Sequence, residues 1–556
     1  MKHKKLIRSL ISIECLILAL LLIAIIQKPS PYCVLCYLLM ALMPVFLYIA
    51  PSDANIMVLI YLFSAGMLLS YSLVGILNGS GDIYNAWYYS KLTLINGHWD
   101  PNRTTFSYNF VLPIVILMPI LSMLSGMNLI YLLKIIPNLI FSLVPVILFK
   151  IYRMYLDRDI AFWSVLYIIS FPAMWYMMPN VPRSEFAKFL LIITLYLILI
   201  KRNFQSLRFV LIYPLLAFSI VTSHYTTAAI YVALAISAIL LVHLGCSHGT
   251  AIKNNKHFGY FTYLMIMLWV FWYGILFLSY PFIGGIQVLY RTFLILNGLF
   301  DLSGVSYAIS SGSSDPSWVI TMIVYGATLL IAFVGFFFLS FNHLKKESGF
   351  LPCYLVVAFI AYILPIIGYA GGIGLLRLSF TTMFVWAPIF GIGLSKSLSK
   401  ITTNRRFKRL LLVSFFFVLI LVNTHSLQYL FLGSSNNPAI TWNVSQQKTW
   451  TTLDEYQGAL FVRQNIDSVA VERGSAAGYG LIFAMKHRIK PIPRPLEGEY
   501  IYVDTQCTVY NKYVVGIWDT SGLRFVSISF TDSDVYPIYA VISNRIYSSK
   551  MWILMR

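Results

Sequence analysis

Charged side chains are scarce in this sequence. Asp, Glu, Lys and Arg make up only 11% of the 556 residues, whereas a soluble globular protein carries about 25%. With 59% hydrophobic residues, the chain is neither a soluble globular protein nor a disordered one. The six cysteines are scattered, which excludes a disulfide framework. The sequence has no internal repeat, which disfavours a transporter built from duplicated halves. With these classes excluded, the composition indicates a multispan membrane protein.

Acidic residues are rarer still, with 20 Asp and Glu against 40 Lys and Arg and a net charge of +20. The excess is uneven: residues 1–427 hold 28 basic and 10 acidic side chains, and residues 428–556 hold 12 and 10. The positive charge therefore belongs to the membrane part, where it suits anchoring on an anionic leaflet. This distribution argues against a nucleic-acid partner.

Long apolar runs dominate the first 427 residues. A spanning helix needs about 20 apolar residues, and thirteen runs are candidates: 6–27, 33–50, 55–77, 129–150, 160–178, 186–201, 207–222, 225–244, 258–281, 317–341, 351–370, 376–396 and 408–427. The first run is longer than the apolar region of a signal peptide and lacks a cleavage site of small residues. We interpret it as a retained anchor.

The distribution of charge decides whether a further apolar run, 110–126, crosses the membrane. If it lies in the interface or re-enters, 20 of the 28 basic residues of the membrane part fall on the cytoplasmic side, as the positive-inside rule requires. We therefore predict a mainly α, polytopic protein of the cell membrane with about 13 spans. Its N-terminus is cytoplasmic, and residues 78–128 form an outer loop with interfacial helices.

The last 129 residues differ in composition. We predict a helix at 451–464 and strands at 500–503, 513–517, 525–530 and 551–555, from their helix-start signals and β-rich runs. The sequence thus divides into a transmembrane domain, 1–427, and a small extracytoplasmic α/β domain, 428–556.

The predicted outer side of the membrane part holds five acidic residues, and Asp82 is the leading catalytic candidate. It follows Gly79 and Gly81 just after the third run and precedes an aromatic stripe typical of an interface helix. A carboxylate at such a boundary can act as a base or ligate a metal. The alternative is that Asp82 only caps the interface helix. The other four acids are Asp100, Glu185, Asp301 and Asp315.

Arg183 and Glu185 open the sixth run from the outer side. A cation at a helix N-terminus opposes the macrodipole, so Arg183 indicates a phosphate held by the guanidinium and the free N–H groups. Glu185 is explained equally well as a helix-start residue. His224 and Tyr225 lie at the outer turn between the seventh and eighth runs, where the histidine is either a ligand or a packed side chain.

Two outer arginines are flanked by apolar sequence. Arg377 follows a glycine-rich segment and is a candidate for binding a lipid phosphate; the alternative is that it snorkels to headgroups. Arg291 is the second such cation. His98 and Asp100, in Asn-Gly-His-Trp-Asp-Pro, complete the candidate substrate-binding residues.

The order of these parts resembles the GT-C superfamily of membrane glycosyltransferases, which includes oligosaccharyltransferases. Matching pieces are Gly-Asp82, the stretch 108–126 and Lys-Ile-Tyr-Arg153. The motifs around Asp82, His98, Arg183 and His224 more closely resemble those of an archaeal multispan family placed near that superfamily. The resemblance implies that Asp82 is the catalytic base or a metal ligand. This chain departs from the pattern in two respects: two extra spans precede the loop that carries Asp82, and that loop lacks the acidic pair that commonly follows the first Asp.

We therefore predict a glycosyltransferase of the cell envelope that moves a sugar from a polyprenyl-phosphate-linked donor to a glycan, lipid or protein acceptor. Arg377, Arg183 or Arg291 would bind the phosphate as it leaves the donor. A divalent metal, Mg²⁺ or Mn²⁺, is a candidate cofactor, with Asp82, Glu185 and His224 as its candidate ligands. One alternative is a transporter or flippase of lipid-linked glycans, which needs charges at mid-membrane depth, where only Glu14 is predicted. The other is a non-catalytic assembly protein.

Overall fold

The computed structural model describes most of the membrane part and six short strands of the C-terminal part. The described residues are 32–42, 44–45, 52–73, 81–103, 107–171, 173–200, 207–243, 256–277, 327–328, 330–338, 375–424, 426, 430, 469–471, 489–491, 500–503, 512–519, 522–529 and 552–554. The predicted runs 6–27 and 351–370 and the helix predicted at 451–464 lie outside these residues.

The described membrane part is helical. In chain order the helices are α1 Tyr32–Ala41, α2 Asp53–Ser72, α3 Gly81–Asn96, α4 Met118–Ser125, α5 Leu129–Phe141, α6 Leu143–Arg153, α7 Arg158–Ser170, α8 Pro182–Ile200, α9 Leu207–Ser223, α10 Tyr225–His243, α11 Lys256–Trp269, α12 Leu375–Ile401 and α13 Arg405–Asn423. Short 3₁₀ turns occur at Pro101–Arg103, Ser107–Phe110 and Met178–Asn180, and π-helical turns at Pro113–Leu117, Ala173–Met177 and Val270–Leu276.

Three helical segments of the described chain are long and apolar enough to cross a membrane: Asp53–Ser72, Leu129–Arg153 and Phe258–Leu276. They coincide with three of the predicted spans, which are confirmed as apolar helices of spanning length. The chain is therefore a membrane protein with a mainly helical membrane part. The full set of thirteen spans stays a prediction.

The predicted span at 160–178 is broken. Helix α7 and the segment Ala173–Asn180 meet at an angle of 59°. Phe171 between them has an extended backbone, with φ −73° and ψ 133°, because the following residue is a proline, which disfavours the helical conformation before it. The break lies at the predicted outer end of α7, and the segment after it leads into the start of α8.

The run 110–126 forms short helices, as the charge distribution predicts. Its apolar helical part, Pro113–Ser125, has too few residues for a span, since at 1.5 Å per residue it is about 20 Å long against a bilayer core of about 30 Å. It ends at Gly126, whose φ of +67° is the left-handed conformation common just after a helix.

Two buried apolar clusters meet where the candidate site lies. In the first, α3 packs through Ile83, Ala86 and Trp87 against the segment 108–118 and the start of α5. The hydroxyl of Ser90 fastens α3 to this segment by donating to the carbonyl of Ile114 at 2.6 Å. The second cluster joins α8 to helices α9, α10 and α11. The N-terminal ends of α3, α8 and α10 thus approach one another on the predicted outer side.

The strands of the C-terminal part are β1 Val469–Val471, β2 Ile489–Pro491, β3 Tyr500–Val503, β4 Lys512–Asp519, β5 Gly522–Ser529 and β6 Trp552–Leu554. Four of them form a mixed sheet in the order β2-β1-β3-β6, in which β1 runs parallel to β2 and β3 and β6 is antiparallel to β3. Strands β4 and β5 form a separate hairpin. The four predicted strands are confirmed; the division into two domains stays a prediction.

Candidate functional site

Asp82 and three side chains from distant parts of the sequence lie close together. The carboxylate oxygen Oδ1 of Asp82 accepts a hydrogen bond from the phenol of Tyr108 and lies 3.2 Å from Nη2 of Arg183. The other terminal nitrogen of Arg183, Nη1, donates to the hydroxyl of Tyr225 at 3.4 Å. We call Asp82, Tyr108, Arg183 and Tyr225 the Asp82–Arg183 cluster. The structure thus brings together three residues that the sequence singled out.

Arg183 is enclosed by aromatic rings. Its guanidinium carbon lies 3.9 Å from the ring centroid of Tyr108 and 5.1 Å from that of Tyr225. A cation over an aromatic face is attracted by the ring quadrupole. The arginine side chain is only 4% exposed, and that of Asp82 is 14% exposed. The cluster is therefore a preformed, nearly dry ion pair whose carboxylate remains reachable from outside.

Local sequence explains where the two charges stand. Helix α3 begins at Gly81, so Asp82 lies in its first turn rather than at the N-cap position. A carboxylate there is stabilised by the positive end of the helix dipole. Helix α8 begins at Pro182, where a proline lacks the N–H that would have no intrahelical partner. Arg183 in that first turn opposes the dipole, and Asp82 compensates it.

Tyr108 was not among the residues that the sequence pointed to. Burial raises the pKa of its phenol well above the usual value; the charge of Arg183 acts in the opposite direction and that of Asp82 in the same one. The phenol therefore keeps its proton at neutral pH and acts as a donor to the carboxylate, not as a base. Its only sequence signal was its place in the stretch that carries the family resemblance.

The loop around Asp100 holds Tyr108 in place. The indole nitrogen of Trp99 donates to the carbonyl of Asn109 at 2.8 Å, and the amide of Asn109 donates to the carbonyl of Asp100 at 2.9 Å. The carboxylate of Asp100 accepts from the backbone N–H of Asn102 at 2.9 Å, while His98 is exposed. This geometry gives Asp100 a part in shaping the loop next to Tyr108.

We expect Tyr108→Phe to lower the rate of the reaction at this site by roughly 10- to 100-fold, because the carboxylate of Asp82 loses the donor that fixes its position and a misplacement of about 1 Å can cost 10²-fold. The ring that covers Arg183 would remain. The measurement is the initial rate of product formation in membranes that carry the variant. Tyr231→Phe is the matched control, because it removes a buried phenol that contacts Thr262 away from the cluster. Equal rates for both variants would contradict a role for the Tyr108 hydroxyl.

Glu185 lies apart from this ion pair as a wholly buried residue of α8, 0% exposed. Neither of its carboxylate oxygens has a hydrogen-bond partner in the described part of the chain, and the charge that acts on it is that of Lys188. Lys188, 2% exposed, contacts the sulfur of Met178 at 3.3 Å. The start of α8 thus carries two separate charged groups, one facing Asp82 and one enclosed.

Lys134 is a second buried lysine that sequence reasoning passed over. It is 1% exposed and lies in α5, within the span Leu129–Arg153. Its carbonyl accepts from Ser72 and from Asn138, each at 2.7 Å. Glu14, the charged residue predicted at membrane depth, lies outside the described residues, whereas Lys134 and Lys188 are two basic side chains enclosed by helices. The signal was present: each is a single lysine at or inside an apolar run.

The ring nitrogen Nδ1 of His224 is engaged within its own helix start. It lies 2.7 Å from the hydroxyl of Thr227 and 3.4 Å from the backbone nitrogen of the same residue. These contacts cap the start of α10 and so fix the neighbouring Tyr225, which approaches Arg183. Of the two outer arginines, Arg291 lies outside the described residues; Arg377 lies in the first turn of α12, where only its backbone is described.

The donor set at Asp82 does not fit a divalent metal held by protein ligands alone. Zn²⁺ and Ca²⁺ sites need several protein ligands, and within the described ranges no group of three His, Cys, Asp or Glu side chains could hold a metal ion. Mg²⁺ can bind through one or two carboxylates, and at Asp82 the adjacent guanidinium of Arg183 opposes it electrostatically. Asp82, Glu185 and His224, the ligand candidates from the sequence, therefore do not assemble into a metal centre. The cation at Asp82 is the guanidinium of Arg183.

Comparison with known proteins yields only solved structures. No protein-family model and no curated protein matches the sequence. The similar structures include archaeal oligosaccharyltransferases from Archaeoglobus fulgidus. One, solved with Zn and sulfate, is 14% identical with a TM-score of 0.49; the match covers 80% of this chain and 59% of that one. Another is the oligosaccharyltransferase AglB with an inhibitory peptide and a dolichol-phosphate, at 13% identity and a TM-score of 0.47, covering 86% of this chain and 74% of that one.

A third, tethered to an acceptor peptide, has 12% identity and a TM-score of 0.46, with the same coverage of 86% and 74%. These neighbours belong to one of the groups that the sequence resemblance includes. This chain spans less than two thirds of the first of them. At these TM-scores the likeness assigns no activity, and the function has to be inferred from the Asp82–Arg183 cluster.

Proposed function

We propose that this protein is a glycosyltransferase that moves a sugar from a polyprenyl-phosphate-linked donor to an acceptor on the outer face of the membrane. The observation that carries the proposal is the ion pair of Asp82 and Arg183, 3.2 Å apart, with the carboxylate partly exposed. A base and a fixed cation side by side are what displacement of a phosphate from a sugar requires.

The reaction follows from the two charges. The acceptor hydroxyl attacks the anomeric carbon of the donor sugar and gives its proton to the carboxylate of Asp82. The new carbon–oxygen bond forms as the bond from that carbon to the phosphate oxygen breaks, and its electron pair stays on the phosphate. The products are the glycosylated acceptor and the polyprenyl phosphate, whose extra negative charge is compensated by Arg183.

Arg183 serves catalysis through the charge that develops on the leaving phosphate. A cation that binds the phosphate more tightly in the transition state than in the donor lowers the barrier. The aromatic rings on both sides hold the guanidinium in place, so little reorganisation is needed when the charge appears. The lipid tail would lie between helices, and the C-terminal part, 428–556, would bind the acceptor.

The proposal is tested by mass spectrometry of surface glycans and lipid-linked precursors in cells that lack the chain. We expect a glycan to disappear and its polyprenyl-phosphate-linked sugar to accumulate, and both changes to be reversed by the wild-type chain. Unchanged glycans and unchanged precursors in the deleted cells would contradict the proposal.

The proposed orientation is tested with single cysteines in a chain whose six native cysteines are replaced by serine. Asn96 and Thr403 are both exposed and lie on predicted outer and cytoplasmic turns respectively. A membrane-impermeant thiol reagent on intact cells should label Asn96→Cys and spare Thr403→Cys, while both should react in opened membranes. The reverse pattern would put Asp82 on the cytoplasmic side and remove a lipid-linked donor of the outer leaflet.

A transporter or flippase of lipid-linked glycans is the second candidate, and the buried charges of Lys134, Glu185 and Lys188 favour it. Ionisable groups enclosed by membrane helices commonly mark a substrate path. Transport and transfer can be distinguished in reconstituted vesicles that contain a fluorescent polyprenyl-phosphate lipid. Movement between leaflets by both the wild-type chain and Asp82→Asn would favour transport; its absence in both would favour transfer.

A further inference from the structure

We propose that Arg183 takes the place of a divalent metal at this site, so that sugar transfer here proceeds without a bound metal ion. The part of this inference that concerns transfer rests on the proposed function. The part that concerns metal binding rests on the Asp82–Arg183 cluster alone and can be tested separately.

The first argument is steric and electrostatic. A divalent ion binds a carboxylate oxygen at about 2.0–2.6 Å, and the oxygen Oδ1 of Asp82 already contacts the guanidinium of Arg183 at 3.2 Å and the phenol of Tyr108. An ion on the same carboxylate would therefore lie next to a positive charge, where the repulsion is strong in a poorly hydrated site.

The second argument is that Arg183 has no room to move aside. Its side chain is 4% exposed and lies near the rings of both Tyr108 and Tyr225. Displacing it would break the contacts with both rings and with the hydroxyl of Tyr225. A metal could take the carboxylate only by rearranging the start of α8.

The third argument comes from the other candidate ligands. Asp100 accepts from the backbone of its own loop, His224 is bound to Thr227, and Glu185 is completely enclosed. Each has a local structural setting, and among the described residues these side chains make no metal-binding group. Within the described ranges, these side chains therefore do not join Asp82 in a group of three that could enclose an ion.

Arg183 also retains a donor for an anion. A guanidinium has five N–H donors in a planar fork that suits phosphate. Nη2 contacts Asp82 and Nη1 contacts Tyr225, so each terminal nitrogen keeps one further N–H for an anion, whereas Nε is buried and out of reach of a phosphate. The same group can therefore hold the base and compensate the leaving phosphate. The proton and electron balance of the transfer is complete with Asp82 and Arg183, and no oxidation state changes.

The test is Mn²⁺ binding to the full chain, purified in nanodiscs and measured by electron paramagnetic resonance. The variants are Asp82→Asn, Arg183→Gln and, as a matched control, Asp53→Asn, which removes a carboxylate paired with Arg153 and Arg158. We expect no stoichiometric Mn²⁺ on the wild-type chain at 0.1 mM and no difference between the wild type and Asp82→Asn. Elemental analysis by mass spectrometry should find less than 0.1 mole of Zn per mole of chain.

One Mn²⁺ or Zn²⁺ per wild-type chain that is lost in Asp82→Asn but kept in Asp53→Asn would overturn the inference. The second measurement is transfer in membranes with their endogenous donor, before and after treatment with EDTA. We expect a change of less than two-fold; a loss of more than 10-fold that Mn²⁺ restores would also overturn it. If no transfer occurs in either sample, the proposed function fails, while the metal-binding result still decides the inference.

Discussion

Asp82→Asn is expected to abolish sugar transfer while leaving the chain folded. A positioned general base contributes roughly 10²- to 10⁴-fold, and an amide cannot take the proton of the acceptor hydroxyl. The amide oxygen can still accept from Tyr108, and Arg183 keeps its contact with Tyr225. Cells that carry the variant should show the glycan and precursor pattern of cells without the chain.

The controls for Asp82→Asn separate chemistry from folding. The purified variant should elute as the wild type on gel filtration and should still bind dolichyl phosphate, because the arginine that faces the phosphate is unchanged. Asp53→Asn makes the same chemical change at a pair on the predicted cytoplasmic side and should transfer normally. Wild-type glycans in cells with Asp82→Asn would remove this residue from the reaction.

Arg183→Gln is expected to lower both transfer and phosphate binding. Removing one group that stabilises developing charge costs roughly 10²- to 10³-fold in rate, and the loss of a charge-assisted contact should weaken binding of dolichyl phosphate at least 10-fold. Asp82→Asn should differ from Arg183→Gln, because it should lose sugar transfer and still bind dolichyl phosphate. Arg183→Lys should recover part of the binding, because it keeps the charge without the planar fork.

The control for Arg183→Gln is Arg153→Gln. Arg153 pairs with Asp53 at 3.1 Å, so this variant also breaks an arginine–aspartate pair, away from the cluster. Both chains should be compared by thermal unfolding in the same detergent, because removing one partner of a buried pair can destabilise a protein by several kcal/mol. If Arg183→Gln is folded and keeps wild-type binding and transfer, Arg183 is a structural residue.

Patterns that depend on neighbouring residues were predictable from the sequence. The aromatic stripe after Asp82 predicted an interface helix and Pro182 predicted a helix start, and α3 and α8 begin at Gly81 and Pro182. The distribution of basic residues over the membrane part also predicted that 110–126 does not span, and its helix Pro113–Ser125 is shorter than a span. The helix starts depend on a few neighbouring residues, whereas the charge argument depends on composition alone.

The pairing at the site could not be predicted in the same way. Asp82 and Arg183 are 101 residues apart, and their contact depends on how α3 packs against 108–118 and how α8 packs against its neighbours. The sequence offered Glu185 and His224 as equal partners of Asp82, but Glu185 points into the protein and His224 caps α10. Tyr108 carries no motif of its own, so only the packing of its segment shows its contact with the carboxylate.

The most direct measurement is a cryo-electron microscopy structure of the wild-type chain in nanodiscs with dolichyl phosphate. We predict that the phosphate lies on the predicted outer side with an oxygen within hydrogen-bond distance of the Arg183 guanidinium and close to the carboxylate of Asp82, with no ion density between them. A phosphate bound elsewhere, with the Asp82–Arg183 pair intact and closed to it, would contradict the account.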